Sequence, residues 1–459
     1  MLRFLRAFGR FAAYILVGVL AVALIWFAAN RLLDERPDSQ RKAFLDVPDN
    51  AIPDDKNIAI GILGLNAPRG ADFMKYGAEV NQLYEQRALW SEIQKKIHSP
   101  EELKLTVTSD QITCWLDPDW EGPKGCLPFE NAAEVLDQNQ ELLERYKALY
   151  KLERSGNVGN NATIFISLTK LVVAEMRLDI RNGRYDAAYA KWRSQFQFVR
   201  NYLRGRDTWV GKSIGLVGFG MSLPVLEELL VRKPRLARVH ASELLEVLRP
   251  GGIESFDLAS SMRAEYLLLD TFLRGPAPES DPYLETIDRL AQKLAQRERF
   301  GNRYIRYSQD YIRTLQKPWP ELAEEFQRLR NEYIEPVGWR DLIDPFGWVF
   351  FARHVDWQLK PPTLFHQIYI ADGKLRLATL VVQMLNADVR DQDIFAFLEK
   401  TDSRLKDPFT GKPMIWDSEH GRIYFASADY KCQINYFRVP VLDARSGRAP
   451  PKVSDATIC

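Results

Sequence analysis

The sequence predicts a mainly α protein: one N-terminal transmembrane helix, an extracytoplasmic body of antiparallel α-hairpins, and a small C-terminal β element. Three observations carry this. Residues Phe11 to Ala29 read FAAYILVGVLAVALIWFAA, with no charge among them. From Asn131 onward, apolar residues recur at helical intervals of three or four. Near the end that period gives way to Asp-Pro turns and β-rich runs. With 459 residues, 46% hydrophobic and 27% charged, the chain has material for several packed units and is neither disordered, collagen-like nor multi-span. Its net charge of +1 gives no electrostatic reason to expect a nucleic-acid partner.

Taking the elements in order, residues 1–10 form a cytoplasmic tail and residues 11–29 the anchor. At about 1.5 Å per residue the apolar run crosses most of a hydrocarbon layer roughly 30 Å thick. A cleaved signal peptide has an apolar region of about 7–15 residues and a small-x-small site. This run is longer and ends in Trp26 and Phe27, so it reads as an uncleaved signal anchor with lipid as its partner. Trp26, Phe27 and Tyr14 suit the interfacial belts. Orientation by basic residues is nearly a tie, Arg3, Arg6 and Arg10 facing Arg31, Arg36, Arg41 and Lys42. Cysteine usage breaks it. Cys114, Cys126, Cys432 and Cys459 all follow the anchor, and an oxidising compartment makes two disulfides the natural reading. That places the bulk of the chain on the periplasmic side of an inner membrane. The alternative is four small buried hydrophobes. Among the pairings, Cys114 with Cys126 closes a short, turn-rich loop; Cys432 with Cys459 then ties down the last residue.

Residues 30–56, polar and carrying Pro37, Pro48 and Pro53, read as an extended stalk. Residues 57–130 read as irregular, with NIAIGILG open to helix or strand and a Cys-bounded loop at 114–126. Residues 131–345 read as a helical domain. Its first helix carries Val135, Leu142, Leu143, Tyr146, Leu149 and Tyr150 on one face. Ile164, Leu168, Leu171, Ala174 and Leu178 form a stripe that stops at Asn182-Gly183 and resumes at Tyr185, Ala188, Tyr189, Trp192, Phe196, Val199 and Leu203. Two amphipathic helices joined by a short Gly turn bury both stripes only by folding back antiparallel. Further helices are predicted over 209–231, 242–248, 254–273, 283–297, 304–315 and 319–333, with prolines near most boundaries and Pro224 set to kink one. Residues 346–459 read as an α+β cap. Both Asp344-Pro345-Phe346-Gly347 and the Asp407 to Pro413 motif DPFTGKP offer Asp and Pro for type I turns. The second leads into a strand, turn, strand pattern around His420-Gly421 and an extended QINYFRVPVL.

Two resemblances attach to these residues. RNGRYDAAYAKW, with Gly183, Tyr185, Ala188 and the earlier Ala174, resembles the middle of a tetratricopeptide repeat, and no second copy follows 34 residues later. Together with the anchor and DPFTGKPMIW…GRIYFAS, it looks like a group of uncharacterised single-pass bacterial envelope proteins that end in a DPF[ST]GKP hairpin element. That resemblance implies architecture and location and supplies no catalytic residues.

Chemical signatures are sparse. Gly211-Lys212-Ser213 resembles the end of a phosphate loop, but Gly205 lies one residue too far upstream; Gly215, Gly218 and Gly220 suit close helix packing better than nucleotide binding. His98, His240, His354, His366 and His420 form no i, i+4 pair, so no metal or cofactor is expected. Ser167/Lys170 and Ser403/Lys406 satisfy SxxK without a KTG partner. Asp341/Asp344 and Glu227/Glu228 are carboxylate pairs by sequence proximity only. RNYLRGRD and VRKPRLARVH read as helix ends, where the dipole favours cations. The most suggestive stretch is Trp115, Asp117, Asp119, Trp120 and Glu121, whose indoles and carboxylates suit a sugar or peptide; its plainer reading is a stapled loop with Trp packed inward. The leading expectation is a membrane-anchored envelope protein with an interaction or scaffolding role toward another envelope protein. The second is a membrane-tethered enzyme that binds or hydrolyses cell-wall glycan or peptide.

Overall fold

The computed structural model describes residues 17–18, 21–22, 24–26, 28, 30, 32, 34–45, 52–85, 101–116, 125–152, 162–205, 208–274, 290, 293–335, 338, 341, 344–359, 364–426 and 434–440. They are mainly helical, with one three-stranded antiparallel sheet toward the C-terminal end. The chain divides into two compact units that interleave in sequence. One takes 1–49, 265–316 and 322–360; the other takes 50–264, 317–321 and 361–459.

In the larger unit the predicted hairpin is present as helices Ala162–Arg181 and Tyr185–Arg204. Gly183 turns the chain at φ +74°, a conformation a side chain would strain. Ile164, Leu168, Leu171, Ala174, Ala188, Tyr189, Trp192, Phe196, Val199 and Leu203 are buried; Leu178 and Tyr185, beside the turn, are half-buried. Helix Trp209–Arg232 packs on both. Its start is capped by Thr208, which accepts from the Gly211 N–H at 3.3 Å. Gly215 meets Leu203 and Tyr202, and Gly218 meets Phe165 and Val199, so the small residues serve close helix packing. Among the described residues this is the helix long and apolar enough to cross a membrane, yet most of it is buried as a core helix. Pro224 lies inside it.

Helix Leu364–Asn386 packs on Trp209–Arg232 and backs the sheet. Strands Ile415–Asp417, Arg422–Ala426 and Ile434–Arg438 pair in the order β1-β2-β3, with Ile423 opposite Phe437 and Phe425 opposite Asn435. Ile423, Phe425 and Phe437 face the core. The predicted DPFTGKP turn is there. Asp407 accepts from the Phe409 N–H and the Thr410 hydroxyl, each at 2.8 Å, and Gly411 takes φ +68°. That geometry drives Phe409 inward, 2% exposed, against Trp319, Tyr369 and Phe425.

Segment 57–130 is more regular than expected: it contains helices Ile58–Gly64 and Phe73–Glu85 and a 3-10 turn at Asp110–Leu116. The helix after 131 is broken at Asn139 into Ala132–Gln138 and Gln140–Ala148. Asn139 holds the break by donating to the Val135 carbonyl at 2.7 Å and accepting from the Thr106 N–H at 3.0 Å.

In the smaller unit the described residues between 17 and 32 are helical, and Val17, Val22, Leu24 and Ile25 are 63–69% exposed. Over 34–45 the expected extended stalk is replaced by packed structure. Residues 39–45 are a helix, Phe44 is buried, and Arg41 bridges Asp270 and Glu298. Asp34 accepts from the N–H of Arg299 at 3.1 Å, and Asn302 accepts from the N–H of Asp38 at 2.8 Å. Pro37 precedes the 39–45 helix, and the polar groups on either side of it, at Asp34, Asp38 and Arg41, find partners in helix Arg297–Thr314. Its Tyr304, Tyr307 and Tyr311 fill the unit's core. Asp344-Pro345-Phe346-Gly347, expected as a type I turn, opens helix Pro345–Asp356: Asp344 accepts from the Gly347 N–H at 3.0 Å and Pro345 takes the first position. The helix predicted over 283–297 lies mostly outside the described residues.

Candidate functional site

Of the five residues expected to form a ligand face, Trp115 is described, and it is core. It is 1% exposed, its indole N–H donates to the Leu127 carbonyl at 2.7 Å, and its ring stands edge-on to Phe129 at 6.0 Å. Burial of both its flat faces and its only donor removes it from any ligand surface, which corrects the expectation at this residue. Asp117, Asp119, Trp120 and Glu121 lie outside the described residues, as do Cys432 and Cys459. Cys114 and Cys126 are joined, with Cα atoms 6.2 Å apart.

The disulfide segment is seated on the first hairpin helix. Lys170 donates to the Ser109 hydroxyl at 2.7 Å and the Thr113 hydroxyl at 2.6 Å, and Arg177 donates to the Trp115 carbonyl at 2.7 Å. Burial pulls the Lys170 amine below its ordinary range, against a smaller upward pull from Asp110. Ser167 donates instead to the Thr163 carbonyl at 2.9 Å, so the SxxK pair is not a nucleophile and its base.

The other sequence candidates are similarly committed to structure. Lys212 donates to the Leu203 and Gly205 carbonyls, closing the preceding helix end rather than reaching for phosphate. Glu227 accepts from Arg438, Glu228 pairs with Arg177 and Arg232, and Asp341 takes Arg299 and Arg303, both at 2.9 Å. The basic stretches behave as helix caps: Arg200 donates to the Val247 and Arg249 carbonyls and Arg238 to that of Leu385. Among the described residues no group of three His, Cys, Asp or Glu side chains could hold a metal.

What the fold does assemble is a charge ladder on the hairpin. Lys191 donates to Glu175 at 2.8 Å and to Asp179 at 2.7 Å; Lys147 adds a contact to Glu175 at 2.6 Å and Arg184 one to Asp179 at 2.7 Å. Burial lowers the Lys191 amine, but the carboxylates of Asp179 and Glu175 outweigh it and hold the amine above its ordinary range. The ladder lines a cavity of about 430 Å³ floored by Leu136, Leu143 and Leu178. A second, of about 580 Å³, is lined by Arg69, Lys104, Asn139 and Glu141. Both are bordered by Gln140 and Glu144 of helix Gln140–Ala148. With its carboxylates already met by cations, the ladder offers fixed charge for recognition and no activated nucleophile. Glu175 and Lys191 stand at equal sequence distance from Gly183, so opposite charges equidistant from the turn were the signal that could have revealed them.

One further buried carboxyl escaped the sequence reading. Glu102 is 8% exposed, accepts from the Tyr76 hydroxyl at 3.2 Å, and is pushed up to about 7 by burial, against weaker pulls from Tyr76 and Lys104. Nothing in its local sequence marks it.

The comparisons return no matching protein family, no matching characterised protein and no matching solved structure.

Proposed function

We propose that this chain is a single-pass envelope protein, anchored in an inner membrane by residues 11–29, whose periplasmic bulk serves interaction or scaffolding with another envelope protein. One observation carries the anchor. The described N-terminal helix leaves Val17, Val22, Leu24 and Ile25 bare. Four large apolar side chains facing water along one short stretch would cost about 1.5–3 kcal/mol each relative to burial, a cost that lipid removes. The Cys114–Cys126 disulfide supports delivery to an oxidising compartment. The single tetratricopeptide-like hairpin and the two charged grooves flanking helix Gln140–Ala148 support recognition. The cell-wall enzyme reading loses Trp115, which lies in the core, and its other residues, Asp117, Asp119, Trp120 and Glu121, lie outside the described residues.

The test has two arms. Alkaline carbonate washing of membranes should leave the chain in the pellet, and a C-terminal alkaline phosphatase fusion should be active. Release into the wash overturns the anchor; an inactive fusion of a retained chain overturns the orientation.

A further inference from the structure

The N-terminal helix meets the folded chain at a definite point. Ile25 is 69% exposed, Trp26 is half-buried, and Asn30 is 3% exposed. That change falls where the uncharged run ends, at Ala29. Trp26 lies three residues before that end, which is about 4–5 Å along a helix axis. A membrane boundary drawn at the end of the run therefore passes close to Trp26, where indoles favour the interface.

Trp26 packs edge-on to Phe346, with ring centroids 6.3 Å apart. The Pro345–Asp356 helix thus begins at the depth of the boundary. Its first residues, PFGWVFFA, carry no charge before Arg353. Gly347, Phe350 and Phe351 face inward and are buried, Phe350 stacking on Phe272 at 5.4 Å. Phe346, Trp348 and Val349 are left half-buried on the other side. With the Asp344 cap before it buried and the Trp348 indole nitrogen turned inward, what this side presents is apolar surface of two aromatic residues and a valine, which suits the region between headgroups and acyl chains.

The placement is held by a clamp. The Asn30 side chain donates to the Leu294 carbonyl at 2.5 Å, the Gln296 side chain donates to the Asn30 carbonyl at 2.8 Å, and Asp34 accepts from the Glu298 and Arg299 N–H groups. These bonds tie the helix exit to segment 294–299, whose Gln296 N–H also meets the Asp344 carboxyl that opens the Pro345–Asp356 helix.

We propose that the first turns of the Pro345–Asp356 helix are a second lipid contact, with Phe346, Trp348 and Val349 seated in the bilayer interface beside Trp26. This rests on the anchor reading and deepens it: the smaller unit lies against the membrane and is not lifted off it by a stalk.

The test uses the full chain in vesicles of phosphatidylcholine and phosphatidylglycerol, with a benzophenone side chain placed singly at 24, 346, 349 or 419. Position 24 reports the anchor; position 419, exposed on the β1-β2 turn, reports background. Illumination should give phospholipid adducts at 346 and 349 at least about tenfold above 419. Adducts at 24 with none at 346 and 349 overturn this proposal and leave the anchor standing. No adduct at 24 overturns the anchor and the proposal with it. Chain-to-chain adducts at 349 in place of lipid adducts assign the patch to a second copy and overturn the lipid contact.

Discussion

At the scale of single residues, the clearest consequence of the structure lies at Trp192. It is fully buried, its indole N–H donates to the Ser222 carbonyl at 2.9 Å, and its ring stacks on Phe196 at 5.0 Å. Trp192→Ala removes the ring contacts and the bond to the Ser222 carbonyl and leaves a cavity, so it should destabilise the larger unit by about 3–5 kcal/mol in chemical denaturation. A loss under about 0.5 kcal/mol would put the residue at the surface. Trp192 was legible in the sequence because it sits in phase with Ala188, Phe196 and Val199. Trp115 was legible only as a choice between a ligand face and an inward-packed ring, of which the second holds, because nothing periodic surrounds it. An indole among Asp and Pro looks the same in sequence whether it faces a sugar or the Leu127 carbonyl. Lys170 and Glu102 were missed for a related reason: their partners Ser109, Thr113 and Tyr76 are 26 to 61 residues away.

At the scale of elements, helices with strong stripes were readable and their ends were not. DPFTGKP and Asp344-Pro345-Phe346-Gly347 begin with the same three residues, yet one closes a turn and the other starts a helix. Asp-Pro serves both, since Asp can accept from an N–H two or three residues on and Pro fixes a φ common to turns and first helical turns. The residues downstream of Asp-Pro-Phe decide between them. Gly411 at positive φ reverses the chain, whereas Gly347 lies tight against the Asp344 carboxyl and the helix continues into Phe350 and Phe351. This cap also titrates. Burial pushes the Asp344 carboxyl up to about 7, against the N–H groups of Gly347 and Gln296 and the Arg299 charge. A carboxyl whose folded value is raised stabilises the fold fully below its ordinary value near 4, and that contribution is lost as pH rises through 7. Asp344→Asn keeps an oxygen for the Gly347 N–H and removes the charge. The variant should flatten the pH dependence of the smaller unit's unfolding between 4 and 8, gaining on the parent at the alkaline end. Asp344→Ala should flatten it in the same way but lie about 1 kcal/mol below the Asn variant at every pH, having lost the cap acceptor as well. Parallel pH curves for the parent and the Asn variant would contradict the assignment.

At the scale of the whole molecule, the division into two interleaved units is the least legible feature, because it depends on pairings across some 260 residues. Helix Arg297–Thr314 shows the cause. Its own N-cap residue, Gln296, makes no side-chain cap bond, so the helix start looks bare in sequence. The missing acceptor is Asp34, which takes the Glu298 and Arg299 N–H groups, while Asn302, a turn further on, bonds both the Asp38 N–H and the Arg36 carbonyl. A polar, proline-bearing segment that composition assigns to a stalk is the cap of a helix found much later in the chain. Its polarity serves partners, not solvent. The consequence is specific in place. Asp34→Ala in the full chain returns two N–H groups to an unsatisfied helix start, a loss of about 1 kcal/mol, which corresponds to roughly five- to tenfold faster hydrogen exchange at the first turn. Peptides covering 297–304 should exchange faster, while those covering the 162–181 and 185–204 hairpin of the other unit should not change. If 34–45 were a stalk, both sets would be unaffected. Acceleration across both units would mean that Asp34 supports a single cooperative fold, and the separation into two units would fail.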